Sequence, residues 1–253
     1  MGQEGYCVNA QLRCGKDHCQ KGTPEFLQET FQYTRRITKL PLLVRLDSGN
    51  DSADNIRICE ANQTDYLVKR NLRIESLETW LATAKEYGPG CIKREGKIVY
   101  MGSVMRRPKG FDKERHLVYR VVERNILANG QILLTPEIEV DTYWTSLPDP
   151  AHTIVELYHD HGTSEQFHSE IKTDLDLERL PTGKFETNAL ILLLGVLAYN
   201  ILRIMRQMTV QLGHKVVPLR NKAQRRRIRT VIKNLITIAS RRNKVLLATI
   251  LSI

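Results

Sequence analysis

The sequence predicts an α/β protein, and three features support this fold class. Two short apolar segments, 40–46 and 65–69, flank a segment of helical character, an order typical of parallel strands joined by a helix. Three longer segments rich in β-branched and aromatic residues follow, separated by turn-forming residues. From residue 151 onward the pattern is helical. We therefore expect a parallel α/β layer with an antiparallel sheet set into it and helices after it.

The first 71 residues alternate between strand and helix patterns. Pro24 suits the first turn of a helix, with Thr23 as its cap. An apolar run then ends at Asp47-Ser48-Gly49, which predicts a buried strand that delivers an acid to its carboxyl end. The predicted elements are, in order, a strand over 5–14, a helix over 25–37, a strand over 40–46, a helix over 52–62 and a strand over 65–69.

Residues 72–150 have a different character. A helix is predicted over 76–87, before Gly88-Pro89-Gly90, and the β-rich segments follow it. Turn signals at Pro108-Lys109-Gly110 and Asn129-Gly130 separate these segments, which favours an antiparallel sheet. The three strands are predicted over 97–105, 116–124 and 132–144.

The helical part has two divisions, 151–212 and a basic tail over 213–253. Its long apolar run, 189–201, contains Gly195 and Asn200 and closes at Arg203. That length is below the ~20 residues needed to cross a bilayer. We therefore interpret it as a buried core helix and expect no membrane partner.

The charge is unevenly distributed. The chain carries a formal charge of +10, and the residues after Glu186 include 13 Lys and Arg but no Asp or Glu. Such a cationic segment is attracted to a polyanion, either nucleic acid or an anionic membrane surface. Five cysteines without the density of a disulfide scaffold favour a reducing, cytoplasmic setting.

Four chemically capable side chains have helical spacing. On one continuous α-helix, Tyr158, His161, Glu165 and Lys172 would lie within about 60° of one another. The pattern equally fits an ordinary solvated helix face. The spacing alone therefore does not distinguish a functional site from an ordinary charged helix surface.

The spacing Tyr-x2-His-x3-Glu-x6-Lys resembles the Tyr-x2-Arg-x3-Glu-x6-Lys signature of bacterial insertion-sequence transposases of the Asp-Asp-Glu (DDE) class. The segment 43–49, which ends at Asp47, resembles the strand that carries their second catalytic Asp. The segment from Asp174 to Asn200 resembles their C-terminal part. The resemblance covers essentially the whole chain.

The resemblance implies an RNase-H-like core that is interrupted by a β-rich insertion domain and followed by a helical basic region. It implies that Asp47 and Glu165 are catalytic ligands of two Mg²⁺ or Mn²⁺ ions, which suits hard cations that prefer carboxylate oxygens. The implied partner is DNA at transposon ends and targets, bound by a homodimer or larger assembly in the bacterial cytoplasm, associated with the nucleoid. The expected DNA-binding residues are Tyr158, His161, Lys172, Arg225, Arg226, Arg227 and Arg229.

The sequence departs from the family pattern at two places. His161 stands where the family has Arg, and a neutral imidazole lacks the planar fork of donors that grips a phosphate. The first catalytic Asp is not found, since Asp17 lies in a polar loop. We expect the chain to lack the first strand of the core and to be catalytically inactive on its own.

Other functions have weaker support. Cys7, Cys14, His18 and Cys19 match no standard zinc spacing, and neither a P-loop nor a nucleophile elbow occurs. A non-catalytic DNA-binding protein that uses the basic helices is the main alternative. A protein of anionic membrane surfaces is a third.

Overall fold

The structure is a computed structural model that describes residues 4–18, 20–88, 90–160, 162–211 and 227–237. The chain divides into two compact units. One comprises Gly15–Asp160, and the other combines Met1–Cys14 with His161–Ile253. We call them the sheet unit and the helical unit and describe each by itself.

The sheet unit contains all six strands of the described residues. Its elements are α1 (Thr23–Ile37), β1 (Leu43–Leu46), α2 (Ala53–Ala61), β2 (Asp65–Lys69), α3 (Leu77–Glu86), β3 (Cys91–Arg94), β4 (Lys97–Arg106), β5 (Arg115–Ile126), β6 (Ile132–Thr145) and α4 (Ala151–His159). The order of elements and the mixed α/β class agree with the sequence prediction, which missed β3.

The strands form one mixed sheet in the order β1-β2-β6-β5-β4-β3. β1 and β2 are parallel, with Leu46 opposite Val68, and every other pair is antiparallel. The strands predicted for the insertion thus continue the sheet that β1 and β2 begin, because β6 pairs directly with β2. The prediction that the first apolar run is a buried strand is wrong. β1 lies at the edge of the described sheet and is only half-buried, with Leu43 40% exposed.

Local chemistry explains where the helices begin. Pro24 lies in the first turn of α1, but Thr23 is not its cap. The position before the helix is Gly22, whose φ of 72° is a left-handed conformation that glycine adopts without strain. Ser52 and Ser76 cap α2 and α3 by accepting hydrogen bonds from backbone N–H groups three residues ahead.

Two apolar clusters hold the sheet unit together. On one face, α1, α2 and α3 bury Phe31, Ile56 and Trp80 against the sheet. On the other face, α4 buries Ile154 and Val155 against strands β2, β5 and β6. The sheet is therefore covered on both sides, and α4 ends beside its β1–β2 end.

The helical unit comprises α5 (Gly162–Ser169), a π-helical turn (Glu170–Asp174), α6 (Phe185–Gln211), α7 (Ile228–Val231) and a second π-helical turn (Ile232–Thr237). Its core contains Phe167, Tyr199, Leu202, Ile228 and Val231. Ile228 and Val231, which belong to the basic tail, are thus buried in this core.

The segment 5–14 is not a strand, contrary to the prediction. Side chains of α6 bind its backbone instead. Asn200 accepts a hydrogen bond from the Cys7 N–H at 2.9 Å and donates to the Cys7 carbonyl at 2.8 Å, and the Tyr199 hydroxyl donates to the Gly5 carbonyl at 2.9 Å. Amide and hydroxyl groups thus satisfy backbone groups that a strand would pair within a sheet.

The apolar run at 189–201 is not a buried core helix, also contrary to the prediction. It belongs to the 27-residue helix α6, most of whose large apolar side chains are exposed. The helix continues past Arg203 to Gln211. The side chains of Arg203 and Arg206 are buried on its opposite face. Among the described residues, α6 is the one helix long and apolar enough to cross a membrane, by length and composition alone.

Candidate functional site

Asp47 follows directly after β1, at the carboxyl end of the two parallel strands. Its side chain is exposed, and its Oδ1 atom accepts a hydrogen bond of 2.8 Å from the amide of Asn50. The backbone turns at Ser48–Asn50, where the Asn50 N–H returns to the Asp47 carbonyl. The acid therefore lies directly after the strand, at the position that the sequence predicted for it, and its side chain is exposed.

Arg45 links this strand to α4. Its guanidinium donates a hydrogen bond of 2.6 Å to the backbone carbonyl of Leu157, in the last turn of α4. A guanidinium near a helix C-terminus also stabilises the negative end of the helix dipole. The end of α4 is therefore fixed to β1 two residues before Asp47. Sequence reasoning missed this role, although a charge within the apolar run 43–46 was a visible signal.

Tyr158 packs in the sheet unit. Its ring lies 4.8 Å from that of Tyr143, centroid to centroid, and it contacts the cluster around Ile154. Burial raises the pKa of Tyr143, so this neighbour stays a neutral phenol. Tyr158 therefore has a structural role in the sheet unit, and its predicted contact with DNA stays a prediction.

The four residues that the sequence placed on one helix face do not share a helix. α4 ends at His159, α5 begins at Gly162, and a π-helical turn begins at Glu170. Tyr158 belongs to the sheet unit, whereas Glu165 and Lys172 belong to the helical unit. The uniform 100° rotation fails because the helix stops near Gly162, a residue that disfavours helix interiors. His161 lies outside the described residues.

Glu165 lies in the first turn of α5 and is exposed. Its carboxylate makes no hydrogen bond or ion pair with the described residues. α5 is held by Phe167, two residues further on, whose buried ring packs against Gly5 and lies 4.5 Å from the guanidinium of Arg203. The helix is thus anchored by one residue while Glu165 remains available to a ligand.

Lys172 lies in the π-helical turn after α5, and its side chain is exposed. Its backbone carbonyl accepts a hydrogen bond from Glu178, which closes the turn. The ammonium group is available to an anion such as phosphate. That function stays a prediction.

The basic tail is tied to this turn by an ion pair. Arg227 donates to the carboxylate of Asp174 at 2.8 Å and to the hydroxyl of Ser169 at 3.0 Å. Asp174 also accepts from the backbone N–H of Arg229, at the start of α7. Arg227 therefore docks the tail, whereas the Arg229 side chain is exposed. Arg225 and Arg226 lie outside the described residues.

Several other carboxylates of the sheet unit are neutralised by cations. Asp141 lies between Lys69 at 2.7 Å and Arg120 at 3.0 Å, and Glu123 is bound by Lys85. Asp17, the residue considered as a first ligand, pairs with Lys21. These acids stabilise strands and loops. Asp47 differs from them because, within the described part of the chain, its side chain is bound by the neutral amide of Asn50 and by no cation.

Within the described ranges, no group of three or more His, Cys, Asp or Glu side chains is arranged to hold a metal ion. Asp47 and Glu165 belong to different units, and each is described in its own unit. Both carboxylates are exposed, and neither pairs with a cation among the residues that the structure describes. Carboxylate oxygens are ligands that hard divalent cations prefer.

Comparison with known proteins supplies the family. No curated protein matches the chain. The model of the family described as transposase DDE domain group 1 matches residues 1–249. The mixed α/β sheet is compatible with the RNase-H-like fold expected from the resemblance. Since the match extends over nearly the whole sequence, the chain belongs to the transposase DDE domain family, group 1.

Proposed function

We propose that this protein acts in metal-dependent DNA cleavage and strand transfer during transposition, with Asp47 and Glu165 as two of its carboxylate ligands. Membership of a transposase family implies that DNA is the substrate. The observation that carries the site assignment is the exposed carboxylate of Asp47 at the carboxyl end of a parallel strand pair. Ligands of α/β sheets commonly bind at that end.

Both residues fit the metal that the proposal requires. One carboxylate oxygen of Asp47 is oriented by Asn50, which leaves the other for a cation, and Glu165 is exposed on an anchored helix. When bound, two Mg²⁺ or Mn²⁺ ions would activate the attacking oxygen and stabilise the leaving oxygen at phosphorus. A complete site of this class also needs a third carboxylate, and Asp47 and Glu165 supply only two. We therefore propose that these two ligands alone do not support cleavage.

Lys172 and Arg229 would bind the phosphates of the DNA backbone. Both carry exposed cationic groups in the helical unit, where a phosphate can pair with them. Arg227 contributes indirectly, because its bond to Asp174 fixes the segment that carries Arg229. We place this activity in a bacterial cytoplasm, in association with the nucleoid.

Calorimetric titration with Mn²⁺ tests the assignment without depending on catalysis. We expect Asp47→Asn and Glu165→Gln each to weaken Mn²⁺ binding at least roughly tenfold, since each removes a charged ligand. Asp112→Asn and Glu86→Gln are the matched controls, because both acids are exposed and lie elsewhere in the sheet unit. Equal Mn²⁺ affinity in all four variants and the wild type would refute the ligand assignment.

A DNA-binding protein without catalysis is the second candidate. The observation in its favour is the cationic region after Glu186, with 13 basic and no acidic residues. It predicts salt-dependent binding of any duplex DNA and no Mn²⁺ binding that depends on Asp47 and Glu165. The same titration therefore distinguishes the two functions.

A further inference from the structure

A buried arginine of α6 contacts the segment that carries Glu165 at two points. The guanidinium of Arg203 lies 4.5 Å from the centroid of the Phe167 ring, and its Nη1 atom lies 3.7 Å from Oε2 of Glu170. Phe167 belongs to α5 and Glu170 begins the π-helical turn that follows it. All of these residues belong to the helical unit. Arg203 therefore joins α6 to both parts of the segment that follows Glu165.

The side chains that make these contacts are buried. Arg203 is 1% exposed, Glu170 3% and Phe167 7%, whereas Glu165 is exposed. Glu165 and Phe167 lie within one turn of the same helix. A contact that fixes the Phe167 ring therefore also limits where the Glu165 carboxylate can lie.

The distribution of acids explains why Arg203 pairs with this segment. No Asp or Glu follows Glu186 in the sequence. An acidic side chain that balances the charge of Arg203 must therefore come from an earlier part of the chain, and the structure brings Glu170 to it. Electrostatic attraction thus holds α6 to the Glu165 segment and not to the cationic residues that follow α6.

Stability alone does not explain a buried arginine at this position. Removing a guanidinium and a carboxylate from water costs free energy that their attraction only partly offsets, and apolar side chains of similar volume often stabilise a core as well or better. An ion pair and a cation–π contact, however, constrain the direction from which their partners approach. The contacts of Arg203 therefore suit a role in fixing the orientation of the segment.

The π-helical turn supports the same interpretation. Glu170, its first residue, is bound by Arg203, and Asp174, its last residue, is bound by Arg227 at 2.8 Å. Lys172 lies between these two acids. π-helical turns are rare and occur frequently at functional sites. The two arginines thus fix both ends of the turn that carries Lys172.

We propose that Arg203 is a positioning residue for the Glu165 carboxylate. It acts through Phe167 and Glu170, which hold α5 and the start of the π-helical turn in one orientation. This role rests on the proposed function, in which Glu165 binds a divalent cation. Removal of groups that orient a metal ligand commonly weakens metal binding roughly ten- to a hundredfold.

Replacement of the ion pair by apolar side chains separates positioning from stability. Arg203→Met combined with Glu170→Met removes both charges and keeps much of the side-chain volume, so the urea midpoint should stay at or above that of the wild type. Calorimetric titration should nevertheless show Mn²⁺ binding that is roughly tenfold weaker. In a Glu165→Gln background the same two changes should cause no further loss, because Arg203 acts through Glu165.

Hydrogen exchange provides a second measurement that does not require the metal. Amides of residues 165–174 should exchange at least roughly tenfold faster in the double variant, because the segment has lost its link to α6. Arg203→Lys keeps the charge and the cation–π attraction, so its Mn²⁺ affinity should stay within roughly threefold of the wild type.

The matched control changes an ion pair of the sheet unit. Lys85→Met with Glu123→Met removes two charges that lie 2.9 Å apart. These changes should leave the exchange of residues 165–174 and the Mn²⁺ affinity as they are in the wild type.

Unchanged exchange or unchanged Mn²⁺ affinity in the Arg203→Met, Glu170→Met variant would overturn the proposal. So would a loss of urea stability together with Mn²⁺ affinity, or an Arg203→Lys variant as weak as the double variant, because Arg203 would then have a structural role only. If Glu165→Gln binds Mn²⁺ as tightly as the wild type, the proposal fails through its ligand. Faster exchange in the double variant distinguishes that failure from a failure of Arg203 to hold the segment.

Discussion

Substitution of Gly5 by alanine should destabilise the helical unit for two separate reasons. Gly5 has a φ of 69°, a left-handed conformation that costs a residue with a Cβ atom about 1 kcal/mol. A Cβ atom would also lie 2.3–2.4 Å from three carbons of the Phe167 ring. The ring has little room to move, because it is buried and the Arg203 guanidinium lies over it at 4.5 Å from its centroid. Overpacking of this kind costs about 1–3 kcal/mol.

We therefore expect Gly5→Ala to lower the free energy of unfolding by about 2–4 kcal/mol in urea denaturation followed by circular dichroism. Gly22→Ala is the matched control, because its φ of 72° carries the same strain and no atom lies within 4 Å of its Cβ position. It should cost only about 1 kcal/mol. Equal losses for the two variants would refute the packing of Phe167 on Gly5.

The same variant has a functional consequence. Phe167 anchors α5 two residues beyond Glu165, so displacement of the ring should disturb the position of that carboxylate. We expect Gly5→Ala to weaken Mn²⁺ binding as well, and Phe167→Leu in the same chain to restore part of the stability by making room. If Phe167→Leu restores none of the lost stability, the clash between a Cβ atom at position 5 and the Phe167 ring is not the cause of the loss.

Three further predictions concern stability and reactivity. Hydrogen bonds from Arg70 lower the pKa of Glu75 in the folded protein. The carboxylate therefore stabilises the fold above about pH 4.5, and this stabilisation is lost as the pH falls through the lowered pKa. Glu75→Gln should shrink the difference in unfolding free energy between about pH 6 and about pH 3. Burial raises the pKa of the Cys59 thiol to about 12, so a maleimide should modify exposed Cys91 rapidly and Cys59 only on unfolding. Tyr199→Phe should cost about 1 kcal/mol in urea denaturation, because a buried hydrogen bond to a backbone carbonyl is lost.

Each of these has a direct control. Glu86→Gln removes an exposed acid that pairs with no cation among the described residues. This substitution should leave the pH dependence of stability unchanged. Mass spectrometry after tryptic digestion identifies which thiol reacts, and rapid native labelling of Cys59 would contradict its burial. Tyr87→Phe changes an exposed tyrosine and should leave the unfolding free energy unchanged. If Tyr87→Phe lowers this free energy as much as Tyr199→Phe does, the lost hydrogen bond does not explain the effect of Tyr199→Phe.

The sequence predicted most elements of the sheet unit because their signals are local. Pro24, Ser52 and Ser76 mark helix starts by backbone chemistry that needs no distant partner. Alternation and turn residues likewise defined β4, β5 and β6. Asp47 was recognised for the same reason, since an acid after a short apolar strand is a contiguous pattern. The family resemblance then gave that acid a role.

Features that depend on distant residues were not predictable. Residues 5–14 have a strand pattern, yet the side chains of Tyr199 and Asn200 bind their backbone. The prediction that Tyr158, Glu165 and Lys172 share one helix face was wrong, because it assumed a single uninterrupted helix. α4 ends at His159 and α5 begins at Gly162, so the 100° spacing does not carry over from one helix to the next.

Composition alone also did not decide what is buried. The run 189–201 is apolar on several sides, which suggested a core helix. Tertiary packing instead buries the face of α6 that carries Arg203 and Arg206, whereas Leu190, Leu194 and Leu197 are exposed. The sequence by itself thus determined the fold class, the family and the two candidate carboxylates. Only the tertiary structure decided which faces of these elements are buried, because burial depends on contacts between segments that are far apart in the chain.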